Sequence, residues 1–179
     1  MRRIIESTFV SLDGVIGEPA TWASEYFDQE AQAEALEQLQ ASDGMLMGRR
    51  TYEIFSSQWP GLSGPYAARL NEMPKYVFSS TLESADWNNT TIVHGDVVAE
   101  ARKLKEEDGR DLIIYGHGQF GHTLLEHGLL DELHLAVFPL VVGKGQLLFR
   151  DSGRIPLKLV ASEARPNGVV GLSYVPAAR

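Results

Sequence analysis

Residues 112–121 read LIIYGHGQFG, and the rest of the chain can be read outward from them. Apolar residues lead into glycines at 116, 118 and 121, and a segment with helical spacing follows. That pattern is a buried strand turning through glycine into a helix N-terminus. Such a corner aims free peptide N–H groups and the positive end of a helix dipole at one point. Bare glycines then let a pyrophosphate reach the backbone. The spacing also satisfies G-x-G-x-x-G, the dinucleotide pattern, although glycines serve plain strand-to-helix turns equally well.

A second corner of the same form lies upstream. Residues 44–48 (GMLMG) read as a short buried strand, and Arg49-Arg50-Thr51 open a helix through Tyr52, Ile54 and Phe55. Two arginines are unfavourable beside the positive end of a helix unless an anion sits there too. A guanidinium can grip a phosphate through paired, charge-assisted bonds. Two solvated surface arginines are the alternative.

Around these corners strands and helices alternate. Residues 4–12 form a first strand that ends in the turn Ser11-Leu12-Asp13-Gly14. Ser24 reads as the N-cap of a helix to Gln40, with Phe27, Ala31, Ala35 and Leu39 on one face. A short helix over 66–73 precedes strands at 74–78 and 90–94, the first ending in Ser79-Ser80-Thr81. Gly95 and Asp96 start a helix with Val97, Val98, Ala101 and Leu104 inward, and the helix after the glycine turn packs Phe120, Leu124 and Leu125. From Asp131 the pattern changes. Residues 133–142 form a long strand, and 155–164 and 169–175 flank Arg165-Pro166-Asn167-Gly168 as a C-terminal hairpin. Alternating units followed by antiparallel strands predict an α/β protein with a mixed sheet and helices on both faces.

The bulk numbers set bounds. A chain of 179 residues, 44% hydrophobic and 22% charged, is expected to fold as one domain over 1–179 and to bury about 70% of its unfolded surface. The net charge of −8 argues against nucleic acid as a partner. No cysteine is present, which removes disulfides, thiolate catalysis and cysteine-based zinc sites. The histidines at 94, 122, 127 and 134 form no metal-like pair, so no metal is expected. Neither a signal peptide nor a membrane span is recognisable, and the expected location is cytoplasmic.

A Rossmann reading matches the pattern and fails on context. Its glycines follow the first strand, with an acid about 20 residues on at the end of the next strand. Here the glycines follow the fifth candidate strand, and Asp131 and Glu132 come before the next strand.

The motifs instead resemble another family. Residues 47–53 (MGRRTYE) are similar to the M-G-R-x-T-x-E segment of dihydrofolate reductases. The Ser11–Gly14 turn, the glycine turn, residues 125–132 (LEHGLLDE) and 139–149 (PLVVGKGQLLF) resemble the reductase domain of the bifunctional riboflavin-synthesis deaminase-reductases and their stand-alone relatives. The resemblance spans residues 4–174. It implies a dihydrofolate reductase-like three-layer fold with an eight-stranded mixed sheet, and an NADPH-dependent reductase acting on a pterin-like or aminopyrimidine substrate. Without cysteines, the zinc deaminase half is absent.

The resemblance also implies a site. Gly48, Arg49, Arg50 and Thr51 would bind the 2′-phosphate and pyrophosphate side of NADPH, with Ser79 and Ser80 flanking the adenine ribose. Gly116, His117, Gly118, Gln119 and Phe120 would cradle the pyrophosphate, and Ile16 and Gly17 would cover the nicotinamide. A small heterocyclic substrate would lie near Asp13, Trp22, Asp28 and Tyr115. Asp13 or Asp28 would assist protonation through a raised pKa in a closed site. Glu25 lies one helical turn before Asp28 and is a further candidate for the pterin-binding acid. His117 is expected to meet an anion or solvent. In dihydrofolate reductase the peptide matching Gly116-His117 is cis, and with histidine there both isomers stay open. Lys144 and Arg150 are candidates by proximity to grip a substrate ribose phosphate, and solvated surface charge is the preferred reading of both. Residues 135–142 and the hairpin offer a surface that a homodimer would bury. Two other readings share the cofactor residues: a catalytically inert nucleotide-binding or interaction module, and a reductase of unrelated small carbonyls.

Overall fold

The computed structural model describes residues 1–150 and 153–177. Its strands are β1 (Ile4–Ser11), β2 (Ser42–Gly48), β3 (Lys75–Phe78), β4 (Thr90–Val93), β5 (Asp111–Tyr115), β6 (Glu132–Phe138), β7 (Leu157–Ala164) and β8 (Val170–Pro176). Its helices are α1 (Gln29–Ala41), α2 (Arg49–Gln58), α3 (Pro65–Glu72), α4 (Val97–Glu106) and α5 (Gly118–Glu126). The strands make one sheet in the order β4-β3-β2-β5-β1-β6-β8-β7. The first six in space pair in parallel, and β8 pairs antiparallel with β6 and β7. Parallel pairing brings the C-terminal ends of β1, β2 and β5 to the same edge of the sheet, where the two glycine corners open.

Side chains alternate across each strand, so β1, β2, β3 and β5 each feed two cores. Ile4, Leu46, Leu112 and Ile114 pack with Ala101 and Leu104 of α4 and Leu124 and Leu125 of α5. Ile5, Met45, Met47 and Ile113 pack with Leu39 of α1, Tyr52 of α2 and Leu70 of α3. Helices therefore cover both faces, as the alternating pattern predicts. A third cluster, Trp22, Ala23, Phe138 and Val169, closes the end of β6 and reaches Phe9 and Tyr26.

Two boundaries differ from the sequence reading, and the expected hairpin turn is present. Ser24 opens only a short 3-10 turn, Ser24–Tyr26, and α1 starts at Gln29 with Asp28 as its N-cap. The Asp28 Oδ1 accepts the Ala31 N–H at 2.9 Å, and the buried positions Ala31 and Leu39 begin only after it. The strand expected to reach residue 142 stops at Phe138, because Pro139 has no N–H for the ladder. The hairpin closes through Gly168 at φ 87°, whose N–H reaches the Arg165 carbonyl at 3.0 Å.

One buried charge holds the start of β3. Lys75 has no solvent exposure. Its Nζ donates to the carbonyls of Asn71, Met73 and Asn88 at 3.0, 2.8 and 2.9 Å and lies 4.4 Å over the Trp87 ring. Among the described residues, no helix is long and apolar enough to cross a membrane.

Candidate functional site

The two glycine corners form one site. Gly48 and His117 occupy the N-cap positions of α2 and α5, and neither supplies a side-chain cap. The first N–H groups of both helices are therefore left without that partner. The two ends touch, since a Cβ on Gly48 would lie 3.5 Å from the Phe120 Cβ. Gly116 and Gly118 have φ of 79° and 48°, and a Cβ on either would meet nothing within 4 Å. Open backbone, two positive helix ends and two arginines thus meet at one place.

The arginines diverge. Arg49 donates from Nε to Glu53 Oε1 at 2.6 Å and from Nη1 to Thr81 Oγ1 at 2.7 Å. Arg50 reaches the opposite way, to Gln146 Oε1 at 3.5 Å. Thr51 and Gln119 line the cleft beside them. Ser79 and Ser80 do not line it. The Ser79 Oγ accepts the N–H groups of Thr81 and Leu82 and so shapes the turn. Thr81, its neighbour, is the hydroxyl that meets Arg49, and Thr and Ser in one short loop give no sequence signal to tell them apart.

Two loops form the rim, one after β1 and one spanning 139–150. Val15 and Leu147 make a β-bridge, Ile16 N–H donates to the Gln146 carbonyl at 2.8 Å, and Leu148 N–H donates to the Gly14 carbonyl at 2.8 Å. Gly17 packs on Gln146, where a Cβ would come 3.3 Å from its backbone nitrogen. Asp13 completes this lacing. Its Oδ1 accepts from Ser11 Oγ and Val142 N–H at 2.6 and 3.0 Å, and its Oδ2 accepts from Gly143 N–H at 2.7 Å. The Ser11 hydroxyl and then the two backbone donors hold its pKa down at about 2. The expectation of a raised pKa is therefore corrected: Asp13 is an ionised loop tether and holds no proton to give. A lowered acid stabilises fully above its ordinary value of 3.8 and loses that contribution as pH falls through about 2. Limited proteolysis should accordingly find the rim loops protected at pH 4 and cut at pH 4 once Asp13→Asn removes the charge.

The remaining side chains expected near substrate also have assigned places. Asp28 caps α1 with Oδ1 and accepts Asn167 Nδ2 at 3.1 Å with Oδ2, so both oxygens are engaged outside the cleft lining. Trp22 is buried, edge-on to Phe138 with centroids 5.5 Å apart, and its indole donates to the Gly17 carbonyl at 2.9 Å. It supports the rim from behind and does not line the cleft. Tyr115 does line it, beside Tyr66. Burial, and then the neighbouring Tyr66 phenol, push its pKa up, so Tyr115 stays a neutral hydroxyl. Phe9, Tyr26 and Phe27 stand on one side of this end, and Phe55, Trp59 and Tyr66 on the other. The groove runs on past this end to Arg3, Asp111 and Glu132 at the starts of the strands, about 2400 Å³ in all, so the site is one part of it.

His117 departs most from expectation. It is 3% exposed, and its Nδ1 lies 2.7 Å from Oε1 of Glu6, which is fully buried on β1. The sequence reading missed Glu6. Its one signal is a lone acid inside a strand of apolar and hydroxyl residues. The peptide between Gly116 and His117 is trans, like the other described peptide bonds.

Sheet order, covering helices and cleft together define a three-layer α/β protein of the dihydrofolate reductase-like fold with an anion-receptive edge. Residues 2–171 match the RibD C-terminal domain. The chain belongs to that family, the reductase domain of riboflavin biosynthesis. It is 31% identical over 179 residues to the uncharacterized protein YyaP of Bacillus subtilis (strain 168), covering 97% of this chain and 94% of that protein. Among solved structures it is similar to a candidate riboflavin biosynthesis protein of Shewanella sp. PV-4, with a TM-score of 0.74, 20% identity, and 98% and 99% of the two chains covered. It is also similar to the diaminohydroxyphosphoribosylaminopyrimidine deaminase/5-amino-6-(5-phosphoribosylamino)uracil reductase of Thermotoga maritima. There the TM-score is 0.69 at 17% identity, over 98% of this chain and 57% of that one.

Proposed function

We propose that the protein is an NADPH-dependent reductase acting on a flat nitrogen heterocycle of the pterin or aminopyrimidine type. The observation that carries this reading is the meeting of two helix ends without side-chain caps at Gly48 and Phe120, beside Arg49 and Arg50. In a chain of net charge −8, such a concentration of donors and cations suits a dinucleotide phosphate. Gly48, Thr51 and the 116–120 backbone would hold the pyrophosphate, and Arg49 with Thr81 would hold the 2′-phosphate. When bound, NADPH supplies the hydride.

The chain's own residues do the rest. Ile16 and Gly17, laced to Gln146, exclude water from the covered end. The aromatic walls orient a planar ring. The Tyr115 hydroxyl keeps its proton and serves as a hydrogen-bond donor. Arg165 of the hairpin turn, the arginine on the Tyr26 and Asp28 side, is already engaged with Glu34. That favours a substrate without a phosphate group over a phosphoribosyl one.

A second reading has its own support. Both carboxylates expected to deliver a proton, Asp13 and Asp28, are committed to loop and helix contacts. The same cleft then suits a nucleotide-binding module without turnover. Calorimetric titration with NADPH, followed by loss of dihydronicotinamide absorbance over pterins, lumazines and aminopyrimidines with and without ribose phosphate, separates the two. The expected result is NADPH binding with turnover of an unphosphorylated ring. Binding without turnover supports the module, and no binding of NADPH removes both.

A further inference from the structure

β1 crosses the middle of the sheet, and its face toward α4 and α5 is apolar, with Ile4, Ile114 and Leu133 around Glu6. Glu6 stands in that layer with no solvent exposure. An isolated carboxylate there is strongly unfavourable, so its partners define its use. Its Oε1 accepts from Thr8 Oγ1 at 3.2 Å and lies 2.7 Å from His117 Nδ1. Its Oε2 has no hydrogen-bond partner among the described residues and lies beneath Gly121, where a Cβ would collide with it. The third glycine of the G-x-G-x-x-G spacing makes room for a carboxylate under the first turn of α5.

The imidazole joins three parts of the molecule. His117 sits between the two glycines of the turn, and its carbonyl accepts the Gly121 N–H at 3.1 Å. Its ring meets Phe149 of the rim loop edge-on, with centroids 5.2 Å apart. Glycines at positive φ on both sides leave the turn little stiffness of its own. Two bonds to β1 restrain it from below: the Gly116 N–H donates to the Ser7 carbonyl at 3.0 Å, and the His117 side chain is held by Glu6.

We infer that Glu6 and His117 are positioning residues, a buried carboxylate–imidazole pair that fixes the 116–120 turn so that its N–H groups stay aimed into the cleft. Replacing such a pair by apolar side chains often leaves stability unchanged or raised. Positioning and stability are therefore separable by experiment. That the held turn receives a dinucleotide pyrophosphate rests on the proposed function, and the test keeps the two apart.

Wild type, Glu6→Leu/His117→Leu and Glu6→Gln, which keeps an acceptor for the imidazole, are compared by thermal melting, amide hydrogen exchange over 115–121 without ligand, and calorimetric titration with NADP+. The double variant should melt no lower than wild type, exchange its turn amides at least about tenfold faster and bind NADP+ at least about tenfold more weakly. Glu6→Gln should stay within about threefold of wild type on both readouts. If the double variant folds poorly, His117→Gln supplies the exchange comparison with one substitution. Unchanged turn exchange when the pair is broken overturns the inference, as does Glu6→Gln loosening the turn as much as the double variant. Faster exchange in a protein whose wild type binds no NADP+ upholds the pair's role and overturns the proposed function instead.

Discussion

Replacing Lys75 by Met is expected to lower the unfolding free energy by about 3–5 kcal/mol, read as a shift in urea midpoint. The ammonium is the donor for the carbonyls of Asn71, Met73 and Asn88, and it lies over the Trp87 ring. Methionine fills the volume but donates nothing, so three carbonyls lose a donor, at about 1–3 kcal/mol for each one left unsatisfied in a buried place. The added apolar contact offsets part of that. The pH dependence carries its own signature. Burial pushes the Lys75 pKa down to about 8, below its ordinary 10.5. Between those values the unfolded chain holds more protons than the folded one, so linkage raises wild-type stability with pH across that window. The gap between wild type and Lys75→Met should therefore widen from pH 8 toward pH 10. A gap that narrows there contradicts the assigned direction.

Arg49→Ala should weaken NADPH binding by about 1.5–3 kcal/mol while leaving NADH nearly unchanged. That is about a 10- to 150-fold rise in Kd for one cofactor only. Glu53 and Thr81 already hold the guanidinium on the outer side of the corner, so little side-chain entropy is left to lose on binding. Arg49→Lys should recover part of the loss, because it keeps the charge and gives up the fork. The exposed Arg49–Glu53 pair contributes only about 0.3–0.5 kcal/mol, so thermal melting should barely move. Equal weakening of NADPH and NADH would remove the 2′-phosphate from this corner.

Much of the fold was legible because its signals are local. Strand runs, the glycine corners, the Asp96 cap and the Asn167-Gly168 turn each lie within a few residues, and the structure has all of them. The backbone part of the site was legible for the same reason, since a glycine turn states its own geometry. The side-chain part was not. The resemblance puts Asp13, Asp28 and Trp22 near substrate and His117 in the phosphate turn, but each is fixed by a partner far away in the chain: Val142, Asn167, Phe138 and Glu6. Lys75 and Glu6 were passed over because a charge in a strand looks like solvent exposure until the partner strands are known. Gly121 shows the reverse error. It fits a dinucleotide pattern by spacing, and its missing side chain accommodates Glu6.

The lacing of the two rim loops has a kinetic consequence. Val15 with Leu147, Ile16 with Gln146, Gly14 with Leu148, and Asp13 with Val142 and Gly143 join segments more than 120 positions apart into one body. Neither loop can swing away while the other stays. For the proposed cofactor, entry and departure beneath them would then share a single cooperative opening, and its residence time would follow the frequency of that event more than the tightness of its own contacts.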